Sequence, residues 1–201
     1  MSKDDLLVLH ALRCGGWSSV ARVAEATGLA EADVESELID LGIDGLVTYD
    51  SGAFGAWGLT AAGKVADADR INDELESAGA RPAVAAAFER FLVLNPELLD
   101  LCTAWQLRAV DGVMTVNDHH DAAYDARVLD RFADLDRRVA PVHTELSTAL
   151  HRFGRYETRL TGALARAAAG ESDYLADRIG SYHAVWAELH EDLLATLGTP
   201  R

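Results

Sequence analysis

The sequence predicts a mainly α protein in which three short helices and a β-hairpin precede a long connecting helix and an all-α C-terminal domain. Three observations predict it. Apolar residues recur at three- and four-residue steps along most of the 201-residue chain. One early stretch instead reads strand, turn, strand: Leu46-Val47-Thr48-Tyr49, then Asp50-Ser51-Gly52, then Phe54 to Leu59. Beyond that stretch nothing reads as strand.

The first helix runs from about Lys3 to Arg13 and is stopped by Cys14-Gly15-Gly16. Ser18 or Ser19 caps a short second helix containing Val20, Ala21, Val23 and Ala24. Thr27-Gly28-Leu29 turns the chain, Gly28 being suited to positive φ. A third helix from about Ala30 presents Val34, Leu38 and Leu41 on one face. The hairpin follows, and Thr60 caps a helix to about Gly79 whose seam is Val65, Ala68, Ile71, Leu75 and Ala78. Ala78-Gly79-Ala80-Arg81-Pro82 reads as a hinge. Pro82 then opens a helix to about Val93, and Asn95-Pro96-Glu97 caps another to Arg108. Asp111 to Asp118 reads as a loop, and a helix spans about Asp121 to Val139. Pro141 opens the next, to Phe153, and the last two cover about Arg155–Ala169 and Ser181–Leu197. The domain boundaries are therefore 1–63, a connecting helix 64–80, and a helical bundle 81–201.

Two short helices joined by a glycine turn and followed by a β-hairpin outline a winged helix. The string Val20-Ala21 … Thr27-Gly28-Leu29 … Val34 … Leu38 … Leu41 … Gly45-Leu46-Val47 resembles the helix-turn-helix of bacterial winged-helix transcriptional regulators, the MarR-like group among them. Leu59-Thr60-Ala61-Ala62-Gly63-Lys64 is similar to the exit from the wing in that group. The resemblance implies a fold, and by analogy DNA binding. Trp105-Gln106-Leu107-Arg108, Asn117-Asp118-His119, Arg152-Phe153 with Tyr156 and Arg159, and His183-Ala184-Val185-Trp186 running into His190-Glu191-Asp192 resemble strings of a group of actinobacterial winged-helix proteins. Members of that group are associated with genes for phosphoenolpyruvate-utilising enzymes, and the resemblance brings no reaction with it.

Charge works against DNA recognition. The chain carries a formal net charge of −15. Residues 1–64 hold four basic groups (Lys3, Arg13, Arg22, Lys64) against ten acids. The third helix, which would enter the major groove, offers Glu31, Asp33, Glu35, Glu37, Asp40 and Asp44 and no cation, and the hairpin has none either. Affinity for duplex DNA comes largely from phosphate neutralisation, so this departs from the regulator pattern. The candidate DNA contacts are Ser18, Ser19, Arg22, Thr27 and Lys64.

The helical domain holds the candidate ligand residues. Arg152, Arg155, Arg159 and Arg166 fall on or near one helical surface with Tyr156 adjacent, and guanidinium forks suit carboxylates and phosphates. Pairing with the chain's own acids is the competing use. An anionic small-molecule pocket would be completed by Trp105, Gln106, Arg108, Asn117, Asp118, His119, His183, Trp186 and His190. His183 and His190 stand two helical turns apart, and His119-His120-Asp121 lies at a helix entrance. These pairs lack the i, i+4 or HExxH spacing of helix-borne zinc sites, so neither metal nor cofactor is expected. Cys14 and Cys102 read as small core residues in a reducing cytoplasm.

No phosphate loop, nucleophile elbow or CxxC pair is present, so an enzyme is not expected. An active site of Asn117, Asp118, His119, His183 and His190 would rest on residue type and would require those side chains to converge. The reading that follows is a ligand-responsive winged-helix regulator, cytoplasmic and without a membrane span. It would be dimeric, contacting duplex DNA and sensing a small anionic or aromatic ligand. The alternative is a winged-helix protein-interaction module, the acidic accessory subunit of a metabolic enzyme.

Overall fold

The computed structural model describes residues 3–52, 55–110 and 112–199. Phe54 of the expected return strand and Asp111 of the expected loop lie outside the described residues. The protein is mainly helical, and by its contacts the chain divides into two units. One is Met1–Pro82 together with Glu188–Arg201; the other is Ala83–Ala187. The sequence reading placed all of 81–201 in one bundle, whereas the contacts place Glu188–Arg201 with the N-terminal residues. Among the described residues, no helix is long and apolar enough to cross a membrane.

In the first unit, helix α1 (Lys3–Gly15) is the hub, touching α2 (Val20–Thr27), α3 (Glu31–Ile43), α4 (Ala61–Ser77) and the second of two short strands. Val8, Leu9 and Leu12 of α1 share a core with Val23, Ala24, Val34, Leu38, Leu41 and Val47. Of the two serines, Ser19 is the cap: its Oγ accepts from the Arg22 amide at 3.3 Å. Gly28, at φ 77°, ends α2 by donating its amide to the Ala24 carbonyl. Strands β1 (Val47–Asp50) and β2 (Ala56–Leu59) pair antiparallel, with Val47 opposite Leu59 and Asp50 opposite Ala56. Ser18 and Trp57 exchange both backbone hydrogen bonds, at 3.0 and 2.9 Å, and so pin the chain before α2 to β2.

Thr60 caps α4, accepting from the Gly63 amide at 3.0 Å. The buried face of α4 is Gly63, Asp67, Ile71 and Leu75, a run of four-residue steps. Val65, expected in the seam, is 62% exposed. A straight helix of 3.6 residues per turn keeps i, i+4 positions aligned over two or three turns, and a buried aspartate fills the place the pattern search gave to a hydrophobe.

The second unit corrects three expectations. The two helices expected around Asn95-Pro96 are one, α5 (Arg81–Gln106), with Pro96 inside it. Likewise α6 (Ala122–Ala149) runs unbroken through Pro141. An interior proline costs about 3 kcal/mol through its missing N–H and its ring clash. In α5 the buried stripe Val84, Ala87, Phe88, Phe91, Leu98, Leu101, Cys102 and Trp105 keeps its phase across Pro96. Each large apolar side chain removed from water returns about 1.5–3 kcal/mol, so burial outweighs the break. The expected loop is a second antiparallel hairpin, β3 (Leu107–Val110) with β4 (Val113–Val116), turning through Gly112 at φ 81°. Helix α7 (Gly154–Ala168) packs on α6, and α8 (Tyr182–Leu197) starts in this unit. Trp186 of α8 stacks on Phe91, with ring centroids 4.6 Å apart, and its indole N–H donates to Asn95 at 3.0 Å.

Candidate functional site

The most unusual chemistry lies within the first unit. Position ten of the chain falls on the buried face of α1, and His10 has no solvent exposure. Its Nδ1 lies 2.9 Å from Oδ1 of Asp67 on α4, and its Nε2 lies 3.0 Å from Oδ1 of Asp192 on α8. Both carboxylates are buried too. Thr196, one turn beyond Asp192, donates its hydroxyl to the same Oδ1 at 3.0 Å. A histidine with a carboxylate at each nitrogen is best served by the imidazolium, which donates from both. Burial alone would disfavour that charge; Cys14, Asp192 and Asp67 outweigh it, and the His10 pKa is raised well above its ordinary value.

Cys14 completes the cluster. One helical turn after His10, its Sγ lies 3.5 Å from Nε2. It is half-buried rather than a core residue, and it lines a cleft of about 520 Å³ with Arg13, Gly15, Gly16 and Glu191. Arg13 donates to Glu191 across this cleft at 2.8 Å. His10, Cys14 and Asp192 each present a ligand atom within 4.8 Å of the others. The sequence reading took Cys14 for a small core residue, quoted Asp192 only within the C-terminal string, and did not single out His10 or Asp67. One signal was present, the His10-x3-Cys14 spacing that sets two donors on one helix face; the carboxylates arrive from distant segments and left no local trace.

The candidate DNA contacts occupy the same unit, and four of the five are engaged inside it. Ser18 is buried and donates its hydroxyl to the Gly16 carbonyl at 3.1 Å, and Ser19 caps α2. Thr27 donates back to the Val23 carbonyl at 2.7 Å. Arg22 pairs with Glu188 at 3.4 Å. Lys64 is exposed and lines a smaller cleft of about 220 Å³ with Arg13 and Trp17. On α3 the outward positions are Glu31, Asp33, Glu35, Asp40, Ile39 at 50% exposure and Ile43 at 79%.

Of the candidate ligand residues, six gather at the base of the β3–β4 hairpin. Asn117 is buried there, its amide donating to the Trp105 carbonyl at 3.0 Å and to Asp125 at 2.8 Å. His119, at φ 57°, meets Asp125 at 3.0 Å and lies against the Trp105 ring at 4.5 Å. Arg108 pairs with Asp118 and Asp121, and Gln106 donates to Asp177. The arginines form a separate group. Arg155 and Arg159 flank the buried Tyr156 ring, at 5.0 and 5.9 Å, while Arg152 lies over Phe153. Arg166 is taken up by Glu171 and stacks on Tyr174 at 3.7 Å. Trp186 is core. His183 belongs to the second unit and His190 to the first. Among the described residues neither of them, nor His119 or His120, joins a group of His, Cys or carboxylate donors close enough to share an ion.

No family model, no curated protein and no solved structure matches this chain.

Proposed function

We propose that the first unit is a winged helix used to dock a protein rather than DNA, and that the chain is an acidic accessory protein. The occupant of the docking face is a cationic protein surface with an apolar centre. The single observation behind this reading is the outward face of α3, where Ile39 and Ile43 stand exposed among Glu31, Asp33, Glu35 and Asp40 with no cation on the helix. Such a face repels phosphate and attracts Lys and Arg, while its two isoleucines supply the desolvated centre that interfaces need. The pairing of Arg13 with Glu191 and of Arg22 with Glu188 adds support, because it withdraws two of the few cations in this part of the chain.

The second reading is the DNA-contacting, ligand-responsive regulator. The order of helices and hairpin and the exposed Lys64 favour it. A gel-shift series with the DNA upstream of the chain's own gene separates the two. No retardation is expected even at low ionic strength, and a shift that weakens steeply with salt would establish the regulator instead. In parallel, the chain immobilised in lysate of its source is expected to retain a basic protein in stoichiometric amount. Ile43→Lys and raised salt should each release it. Capture indifferent to both would sink the docking face.

A further inference from the structure

We propose that His10, Cys14 and Asp192 form a three-ligand site for a divalent transition metal, with Zn2+ as its natural occupant and its open fourth position facing the cleft beside Arg13 and Glu191. The donor set is one imidazole, one thiol and one carboxylate. That mixture suits Zn2+ and discriminates against Mg2+ and Ca2+, which take oxygen.

The spacing fits. Ordinary Zn–N, Zn–O and Zn–S bonds give a tetrahedron with edges of about 3.3 Å between N and O and about 3.5 Å between N and S. The corresponding separations here are 3.0 Å from His10 Nε2 to Asp192 and 3.5 Å from His10 Nε2 to Cys14. The third edge, from Cys14 Sγ to the Asp192 carboxylate, lies within 4.8 Å, so drawing Sγ toward that carboxylate completes the face that receives the ion. Asp67 supplies the outer partner: its contact with His10 Nδ1 is the carboxylate–histidine arrangement that fixes tautomer and ring orientation in metal sites, leaving Nε2 to the metal. Thr196 does the same for Asp192.

On binding, protons carried by Nε2 and Sγ leave to solvent and bonds form from the metal to Nε2, Sγ and an Asp192 carboxylate oxygen. The neutral imidazole, the thiolate and the carboxylates of Asp67 and Asp192 then surround the dication, so loading is linked to pH. The ion would join α1 to the final turns of α8 within the first unit. Nothing in this proposal rests on the docking role of α3.

The test is a Co2+ titration of tag-free, full-length protein stripped with chelator, followed by displacement with Zn2+. A one-to-one endpoint is expected, with a thiolate-to-cobalt charge-transfer band and the intense visible bands of a tetrahedral site. Cys14→Ser should abolish the charge-transfer band and weaken Zn2+ binding by about 100-fold or more, at or beyond the loss usual for outer-sphere partners. Cys102→Ala, in the other unit, should leave both unchanged. Circular dichroism equal to wild type qualifies each variant. A featureless wild-type titration overturns the proposal whatever the variants do, and so does a thiolate band that survives Cys14→Ser.

Discussion

His143 lies on the inner face of α6, 2% exposed, and among the described residues neither of its ring nitrogens has a hydrogen-bond partner. Burial drives its pKa down to about 4, so it is neutral in the folded protein at neutral pH. In the unfolded chain it takes up a proton near pH 6.5. Between those values the unfolded state binds more protons, so stability is constant above about pH 6.5, falls as the pH drops and levels off below about pH 4. The full loss from this one residue is about 3 kcal/mol. Urea midpoints at pH 7.5 and 4.5 should show it, and His143→Leu should flatten that part of the slope; an unchanged slope would mean the side chain gains a proton partner in the fold. Single residues were also where the sequence was least readable. The spacing of His143 on its helix marks it as inward-facing, but nothing local says whether a partner meets it, just as nothing local announced that Asp67 and Asp192 would meet His10.

Secondary-structure elements were better written in the chain. The glycine turn, the Thr60 cap and the amphipathic stripes of α1 to α3 are local devices, and local devices survive translation from pattern to structure. The failures share a cause as well. Pro96 and Pro141 were read as helix starts because propensity is local, whereas the continuous buried stripe that overrides it is tertiary. The β3–β4 hairpin escaped because every residue of β4 is exposed, so no alternation betrays it; only the Asp111-Gly112 pair hinted at a turn. Gly63 gives this scale its own test. In the first turn of α4, an alanine should raise helix stability by up to about 1 kcal/mol on propensity alone. A Cβ built there, however, lies 1.9 Å from the Leu46 carbonyl oxygen, a backbone atom at the entry to β1. Gly63→Ala is therefore expected to destabilise by about 2–3 kcal/mol, as overpacking does. Thermal unfolding decides the sign, and a rise in Tm would show that α4 does not pack against this turn.

At the scale of the whole molecule, the first unit is discontinuous in sequence: residues 188–201 return to 1–82. They bring Asp192 to His10, Glu191 to Arg13 and the Leu197 carbonyl to Arg81. A fragment ending at Pro82 would keep the shared core of α1 to α3 but leave the His10 cation short of one carboxylate. Breaking a buried pair costs about 3–5 kcal/mol, and a degree count of about 4–8 °C per kcal/mol applies to a domain of this size. The fragment should therefore melt more than about 10 °C below the first unit of the intact chain, and linking 188–201 back through a Gly/Ser tether should restore most of the difference. Equal melting with and without that segment would show it to be decoration. The acidic balance of both halves was legible from composition, but composition could not reveal that acids of the C-terminal stretch neutralise arginines of the first helices.

The discontinuity also sets an order of events during synthesis. Residues 1–82 leave the ribosome well before 188–201 exist, so His10 spends that interval with Asp67 but without Asp192, beside a thiol still open to whatever it meets. All of 83–187 must be translated before the nascent N-terminal unit can be completed. This is a chain whose beginning is finished by its end.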